Sequence, residues 1–460
     1  MNKKAFVRTN YRWIICGLLF FATTINYLDR QVLSLLQPSL ASEFGWTNSD
    51  YGNIAAMFQF AYAIAVLFVG RFVDRVGIKK GYAWAIALWS VGALLHAYAV
   101  EIGMALSPVL SIIGLVVPVS VLGFMVGRLV LAVGESGNFP AAIKTVGLWF
   151  PQKDRSLVTG IFNSGANIGA IIAPLTVPVM ALAFGWQSAF LIVGVIGFIW
   201  LIFWLWLYDS PEKKLAKGAI NQEEYDYITA GRIEGAASAS AKPKKEKVSW
   251  LKLLQYRQTW SFFFGKFMTD GVWWFFLFWL PAYLKMKYNM QGMEIMLPLA
   301  VVYSMTMIGS IGGGWFPAFF INKGWAPYKA RMTAMFTIAL FPLVVLLAQP
   351  LGEISVWVPV ILIGIGCSAH QAWSANIYST VSDMFPNKAV GSITGIGTMA
   401  GGLSGVLVSK AAGQLFDHYQ ALGHIETGYT IVFSFCAVAY LLGWGVMKLL
   451  VPKFKLVEGI

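Results

Sequence analysis

Charge is scarce in this chain. Asp, Glu, Lys and Arg make up only 12% of its 460 residues, against roughly 25% in soluble proteins. That shortfall excludes an ordinary soluble globular domain. Cysteine is scarcer still. Cys16, Cys367 and Cys436 all lie in apolar stretches, so there is no disulfide framework and no metal-ligand spacing. No Ser/His/Asp arrangement, metal cluster or phosphate-binding loop has convincing spacing. The chain therefore does not read as an enzyme, and no metal site or organic cofactor is expected.

What is abundant is apolar surface. Hydrophobic residues reach 58%, and runs long enough to cross a ~30 Å hydrocarbon core as helices recur throughout. The expected class is an all-α membrane protein with the lipid bilayer as its partner. Twelve spans are read at roughly 13–40, 48–72, 79–99, 121–143, 156–182, 187–208, 258–284, 293–321, 328–349, 354–381, 388–414 and 428–450. The apolar segment 101–120 is broken by Pro108, Gly114 and Pro118. It is placed as an interfacial hairpin on the non-cytoplasmic side, with inclusion in a longer fourth span as the alternative. The basic N-terminus followed by an apolar run is read as an uncleaved first helix.

A net charge of +13 raises nucleic acid as a partner in a soluble protein. Here the location of the charge argues against it. Lys285, Lys287 and Lys410 fall on one side of the spans, and Arg30, Arg128 and Lys266 fall within them. The other basic residues collect on the opposite side, including Lys3, Lys4, Arg8, Arg12, Arg71, Arg75, Lys79, Lys80, Lys448, Lys453 and Lys455. This is the positive-inside bias. It places both termini in the cytoplasm, in a multi-pass protein of the inner (plasma) membrane.

The polar segment 209–257 carries the KPKKEK run. It reads as a cytoplasmic linker between six-helix bundles at 1–208 and 258–460, and INQEEYDYITAGRI within it is a candidate surface helix. A repeat supports the division. FPQKDRSLVTGI begins at Phe150 and FPNKAVGSITGI at Phe385, 235 residues later. Such a half-chain period marks transporters built from two pseudo-symmetric bundles, with the substrate site near the midplane between them.

Ionisable residues inside the spans are then the strongest functional signal, because each costs at least ~2.5–3.5 kcal/mol at the bilayer centre. Asp29 and Arg30 are adjacent, so they point about 100° apart on a helix. Seventeen residues from Arg12, or about 26 Å of helix, place them well past the midplane toward the outside. Arg128 and Glu135 are seven apart and share a face. A planar guanidinium suits a carboxylate ligand, so Arg30 and Arg128 are candidate substrate contacts. The alternatives are that each Arg neutralises a nearby acid, or that Arg128 pairs with Asp29. Lys266 and Asp270 sit at i, i+4 and are expected to pair, with Lys266 as a second carboxylate anchor in the alternative. Tyr27, Tyr62, Asn163 and Asn167 are candidate hydroxyl partners in the first half. His370, Gln371, Ser374 and Asn376 are candidates in the second, and His370 is also an alternative proton carrier. Trp273, Trp274, Phe278 and Trp279 form an aromatic run of which one or two wall the cavity.

The loop Gly70-Arg-Phe-Val-Asp74-Arg75-Val-Gly77-Ile-Lys79-Lys80 resembles the loop signature of the major facilitator superfamily. The resemblance implies that Gly70, Asp74, Arg75 and Gly77 act in gating. Physically, Gly70 lets two helices touch, Gly77 allows a tight turn, and Asp74 can cap a neighbouring helix and pair with a basic residue. A narrower resemblance covers nearly the whole chain. NYLDR, GRLVLAVGESGNFP, WFPQKDR, VWWFFLFWLPAYL and AHQAWSANIYSTVSDMFP are similar to the anion:cation symporter family, the last to its hexuronate transporters. It implies uptake of a sugar acid with protons as coupling ion and no other cofactor. Asp29 and Glu135 are the proton-coupling candidates. Desolvation favours a neutral acid, a guanidinium favours the charged form, and substrate on the Arg shifts that balance. Where some sugar-acid symporters carry Gln and Asn, this chain has Ala166 and Met399, which directs the expectation toward hexuronates.

The expected activity is proton-coupled import of a hexuronate by alternating access, in a monomer. Another organic anion (an aldonate, a glucarate-like diacid or an aromatic acid) is the rival within transport. A non-transporting membrane sensor is the rival outside it.

Overall fold

The computed structural model describes residues 9–112, 114, 116–229 and 250–458. Lys3, Lys4, Arg8 and the KPKKEK run lie outside these residues. The described chain is helical, with no strand among its residues. Among the described residues, nine helices, broken or whole, are long and apolar enough to cross a membrane. They are α2 (Asn48–Val76), the broken pair α5 (Val119–Glu135) and α6 (Asn138–Trp149), α7 (Gln152–Phe184), α8 (Trp186–Leu207), α13 (Met296–Asn322), α14 (Pro327–Leu340) with its 3-10 extension to Leu347, α15 (Trp357–Met384), α16 (Asn387–Ala421) and α17 (Ile425–Leu450). The remaining crossings of the twelve are α1 (Tyr11–Phe44), α3 (Ile78–Ala97) and α12 (Arg257–Tyr288). Of these, α1 and α12 carry the buried charges Asp29, Arg30 and Lys266.

Local signals explain the ends. Thr47 and Asp50 form a reciprocal capping box at the start of α2, satisfying two orphan donors. Gly45 closes α1 in the left-handed region at φ 66°. Pro151 and Pro386 occupy the same extended N-cap position before α7 and α16. The repeated Phe-Pro segment therefore opens the fifth crossing of each half. Helix contacts follow the same pseudo-symmetry: α2 packs on α16, and its counterpart α13 packs on α7.

Segment 101–120 takes the hairpin form. Helix α4 (Ala99–Ile112) turns 87° from α3, and residues 116–118 return the chain to α5. It makes no additional crossing.

Within the linker, the candidate surface helix INQEEYDYITAGRI contains α10 (Gln222–Thr229). Residues 209–229 fold back onto the first half as α9 (Pro211–Ala216) and α10 (Gln222–Thr229). The reason is Glu224, fully buried. Its carboxylate accepts the backbone N–H groups of Tyr11 and Arg12 at 3.1 and 3.0 Å and the Arg12 guanidinium at 3.0 Å. An acid from the linker thus caps α1. Beside it, the Tyr227 hydroxyl donates to Asp154 at 2.8 Å. At the other edge, α11 (Trp250–Leu253) leads into α12, and Gln258 donates to the Lys455 carbonyl. Both described termini and the linker therefore share one end of the bundle. Glu224→Ala strands the buried Arg12, which costs about 3–5 kcal/mol. Thermal unfolding of the detergent-solubilised protein should show a clear loss against Glu223→Ala, an exposed neighbour. Equal midpoints would refute the cap.

Candidate functional site

The charges on α1 and α5 meet across those two helices, and α12 carries a second ion pair of its own. α1 has 34 residues, about 51 Å at 1.5 Å each, and its centre falls beside Leu28. Asp29 and Arg30 are thus central. The helix runs on past them to Phe44 before it ends.

Arg30 faces Glu135 at the last residue of α5. Its Nε and Nη2 donate to Glu135 Oε2 at 2.9 and 2.7 Å. Both side chains are buried, and Glu135 Oε1 has no hydrogen-bond partner. Four aromatic rings surround the guanidinium: Tyr27 at 4.8 Å, Phe58 at 5.2 Å, and Tyr62 and Trp274 at 5.3 Å to their centroids. Trp274 comes from the second half. The cage excludes water and leaves the cation attracted by ring quadrupoles.

Arg128, seven residues before Glu135, points to the same helix. Its Nη1 donates to the Arg30 carbonyl at 3.1 Å, and Phe58 and Phe278 lie 5.4 and 5.6 Å from it. Asp29 is buried with Oδ2 unpartnered. No Arg128–Asp29 ion pair is present among the described residues. The acid that pairs is Glu135, and its partner is Arg30.

In the second half, Lys266 and Asp270 pair at 2.7 Å as the i, i+4 spacing indicated. Lys266 Nζ also sits 4.6 Å from the Tyr378 ring centroid. Gln371, Ser374 and Tyr378 lie at i, i+3 and i+7 along one face of α15, and all three are half-buried. His370 lies behind that stripe. It stacks on Trp273 at 5.1 Å and 9°, with Nδ1 2.9 Å from the Tyr440 hydroxyl. Asn376 is structural, donating to the Gly313 and Ala372 carbonyls. In the first half, Asn167 Oδ1 lies 3.5 Å from the Thr306 hydroxyl of α13. Asn163, one turn away on that face, is exposed.

One end of the interface between halves is sealed. Asp417 near the end of α16 accepts the backbone N–H groups of Asn48 and Ser49, both at 2.8 Å, and the Asn48 amide at 3.0 Å. Its carboxylate thus caps α2 across the two halves. Deeper in, the Tyr51 hydroxyl donates to the Phe278 carbonyl at 2.6 Å, and Gln59 meets Ser409 at 3.2 Å. A Cβ on Gly52 would approach the Ser409 carbonyl to 2.7 Å, so the helices touch there. Asp417→Ala removes charge-assisted bonds each worth about 1.5–3 kcal/mol. Thiol labelling of a Ser409→Cys reporter, buried in this seal, should accelerate at least about tenfold. An unchanged rate would refute the latch.

The opposite end, with the termini and the signature loop, has no hydrogen bond between halves among the described residues. Gly77 turns the chain at φ 84° between α2 and α3. Two expectations there are corrected. Asp74 caps no helix among the described residues, but it has the basic partner expected of it, Lys144 at 2.7 Å, which also donates to the Gly70 carbonyl. A Cβ on Gly70 would meet nothing within 4 Å. Asp74 finds its cation within its own bundle. Arg75 is exposed.

Phe58, Tyr378, Tyr440, Asp417 and Asn48 were missed from the sequence. Only Asp417 and Asn48 carried a signal, as polar groups at helix ends, and neither end names its partner.

Comparison with known proteins gives one family and consistent relatives. The model described as Major Facilitator Superfamily matches residues 19–409. The hexuronate transporter of Escherichia coli (strain K12) is 28% identical over 442 residues, covering 95% of this chain and 94% of that protein. The D-galactonate transporter of Escherichia coli O6:H1 is 27% identical over 415 residues, 89% and 90% of the two chains. A bacterial homologue of the human lysosomal transporter Spinster, solved in an inward-facing and unoccupied conformation, superimposes with a TM-score of 0.71 at 15% identity over 98% of this chain and 100% of that one.

Proposed function

This chain belongs to the major facilitator superfamily, and from that premise we propose that it imports a sugar acid, foremost a hexuronate, by proton symport. As a multi-pass transporter it performs no chemistry on its cargo. The proposal places it in the inner (plasma) membrane as a monomer, with both termini in the cytoplasm, so that the open end faces inward.

The observation that carries this reading is the Arg30–Glu135 pair inside its aromatic cage. Arg30, Arg128, Asp29 and Glu135 cancel in charge when all are ionised. Protonating Glu135 frees the Arg30 fork, which then holds a substrate carboxylate. Proton and anion enter together and the cavity stays neutral. Tyr27 and Tyr62 flank the fork. Gln371 and Ser374 on the opposite wall offer donors and acceptors to sugar hydroxyls, with His370 behind them. Inward opening releases both ligands, and the Arg30–Glu135 pair closes again before the empty carrier returns. Asp29, buried and unpaired, is the second acid in this scheme. The relatives named for hexuronates and galactonate support a sugar acid as cargo.

The test is uptake of radiolabelled glucuronate and galacturonate into proteoliposomes, with and without an inward proton gradient. Gradient-driven accumulation of either is the expected result. Flux without gradient dependence would remove the coupling, and no flux of either acid would overturn the hexuronate reading in favour of aldonates or diacids.

A further inference from the structure

The second half holds a buried ion pair that the carboxylate grip does not use. Lys266 Nζ and Asp270 Oδ2 are 2.7 Å apart, and Asp270 Oδ1 is buried with no hydrogen-bond partner. A Cβ on Gly401 would strike the Asp270 carboxylate, so this acid lies directly on the α16 backbone. Lys266, Asp270 and Trp274 recur every fourth residue along one face of α12. Trp274 is the ring of the second half in the Arg30 cage, at 5.3 Å. Asp270 thus lies about 6 Å along the helix axis from the level of the Arg30 cage, on the side of the open end. That separation is of the order of a six-carbon skeleton. Lys266 also meets Tyr378, which shares the α15 face with Ser374 and Gln371.

Charge decides what this wall takes. One protonated acid in the first half leaves one positive charge for one carboxylate. Lys266 and Asp270 cancel each other, so the far wall offers donors and acceptors without net charge. Hydroxyls satisfy it, whereas a second carboxylate would meet the Asp270 charge at close range in a poorly solvated cavity. We propose that Asp270 is a specificity-determining residue: by holding Lys266 neutralised, it admits sugar acids with one carboxylate and rejects aldarates with two. This rests on the sugar-acid reading above.

The experiment measures binding of galacturonate and galactarate to the purified full chain by calorimetry. Asp270→Asn keeps the shape and leaves Lys266 cationic. The galactarate-to-galacturonate affinity ratio should rise at least about tenfold. Adding Lys266→Gln to that variant should return the ratio to near its wild-type value. Asp270→Ser provides the same unpaired lysine if Asp270→Asn does not purify. The proposal is overturned if the variant binds galacturonate with an unchanged ratio, if the gain survives loss of Lys266, or if the wild type already favours galactarate. Binding of neither acid by the wild type would overturn the sugar-acid reading itself, and this inference with it.

Discussion

Arg30→Ala is expected to abolish sugar-acid uptake, at least about 100-fold below wild type. Two losses add. The fork that receives the substrate carboxylate disappears, and hydrogen bonds to a charged group are each worth about 1.5–3 kcal/mol. Glu135 is also left buried without its cation, a situation that costs about 3–5 kcal/mol when one partner of a buried pair is removed. The acid would then stay protonated and could no longer cycle. Because part of this effect is structural, Arg30→Lys is the sharper variant. It keeps the charge inside the cage of Tyr27, Phe58, Tyr62 and Trp274 but replaces a planar fork with a point charge. Uptake should fall roughly 10- to 100-fold with little change in unfolding temperature. Wild-type uptake by Arg30→Lys would move the anchor to Arg128, which lies against the same aromatic ring, Phe58.

The second large effect is expected at Glu135. Glu135→Gln preserves an oxygen for the Arg30 guanidinium, which in the native protein uses only Oε2. It removes the exchangeable charge. Substrate binding and counterflow exchange should persist, because the Gln mimics the protonated state that releases the fork. Accumulation driven by a proton gradient should vanish, and the dependence of uptake on external pH should flatten. The sign follows from the pair: in the native protein, low external pH favours protonated Glu135, frees Arg30 and speeds entry. Retained accumulation in Glu135→Gln would transfer coupling to Asp29, the other acid of the first half with an unpartnered buried oxygen. The same two assays on Asp29→Asn then decide between the acids.

Much of this molecule was legible in the sequence because the signals are local. The hydrocarbon core imposes its length on each span, and the twelve crossings fall close to their expected positions. The repeat at Phe150 and Phe385 marked the fifth helix of each half, since a Phe-Pro N-cap is written in adjacent residues. Lys266 and Asp270 could be paired by counting along one helix. Asp29, Arg30, Arg128 and Glu135 could be singled out because charge in an apolar run needs a reason.

The tertiary structure decided the partnerships. Whether Arg30 meets Glu135 or Arg128 meets Asp29 depends on the rotation and depth of α1 against α5, which no spacing encodes. Glu224 reaches the start of α1 only because the linker folds back. Asp417 caps α2 only because opposite halves meet at that end. The signature loop showed the limit most plainly. Under the proposed alternating access one sequence serves two closures, so the partners of Gly70 and Asp74 would change with the end that is open. Hydropathy and charge fix where a helix lies and what it must hide; pairing across helices is a property of packing, and here of one state of that packing.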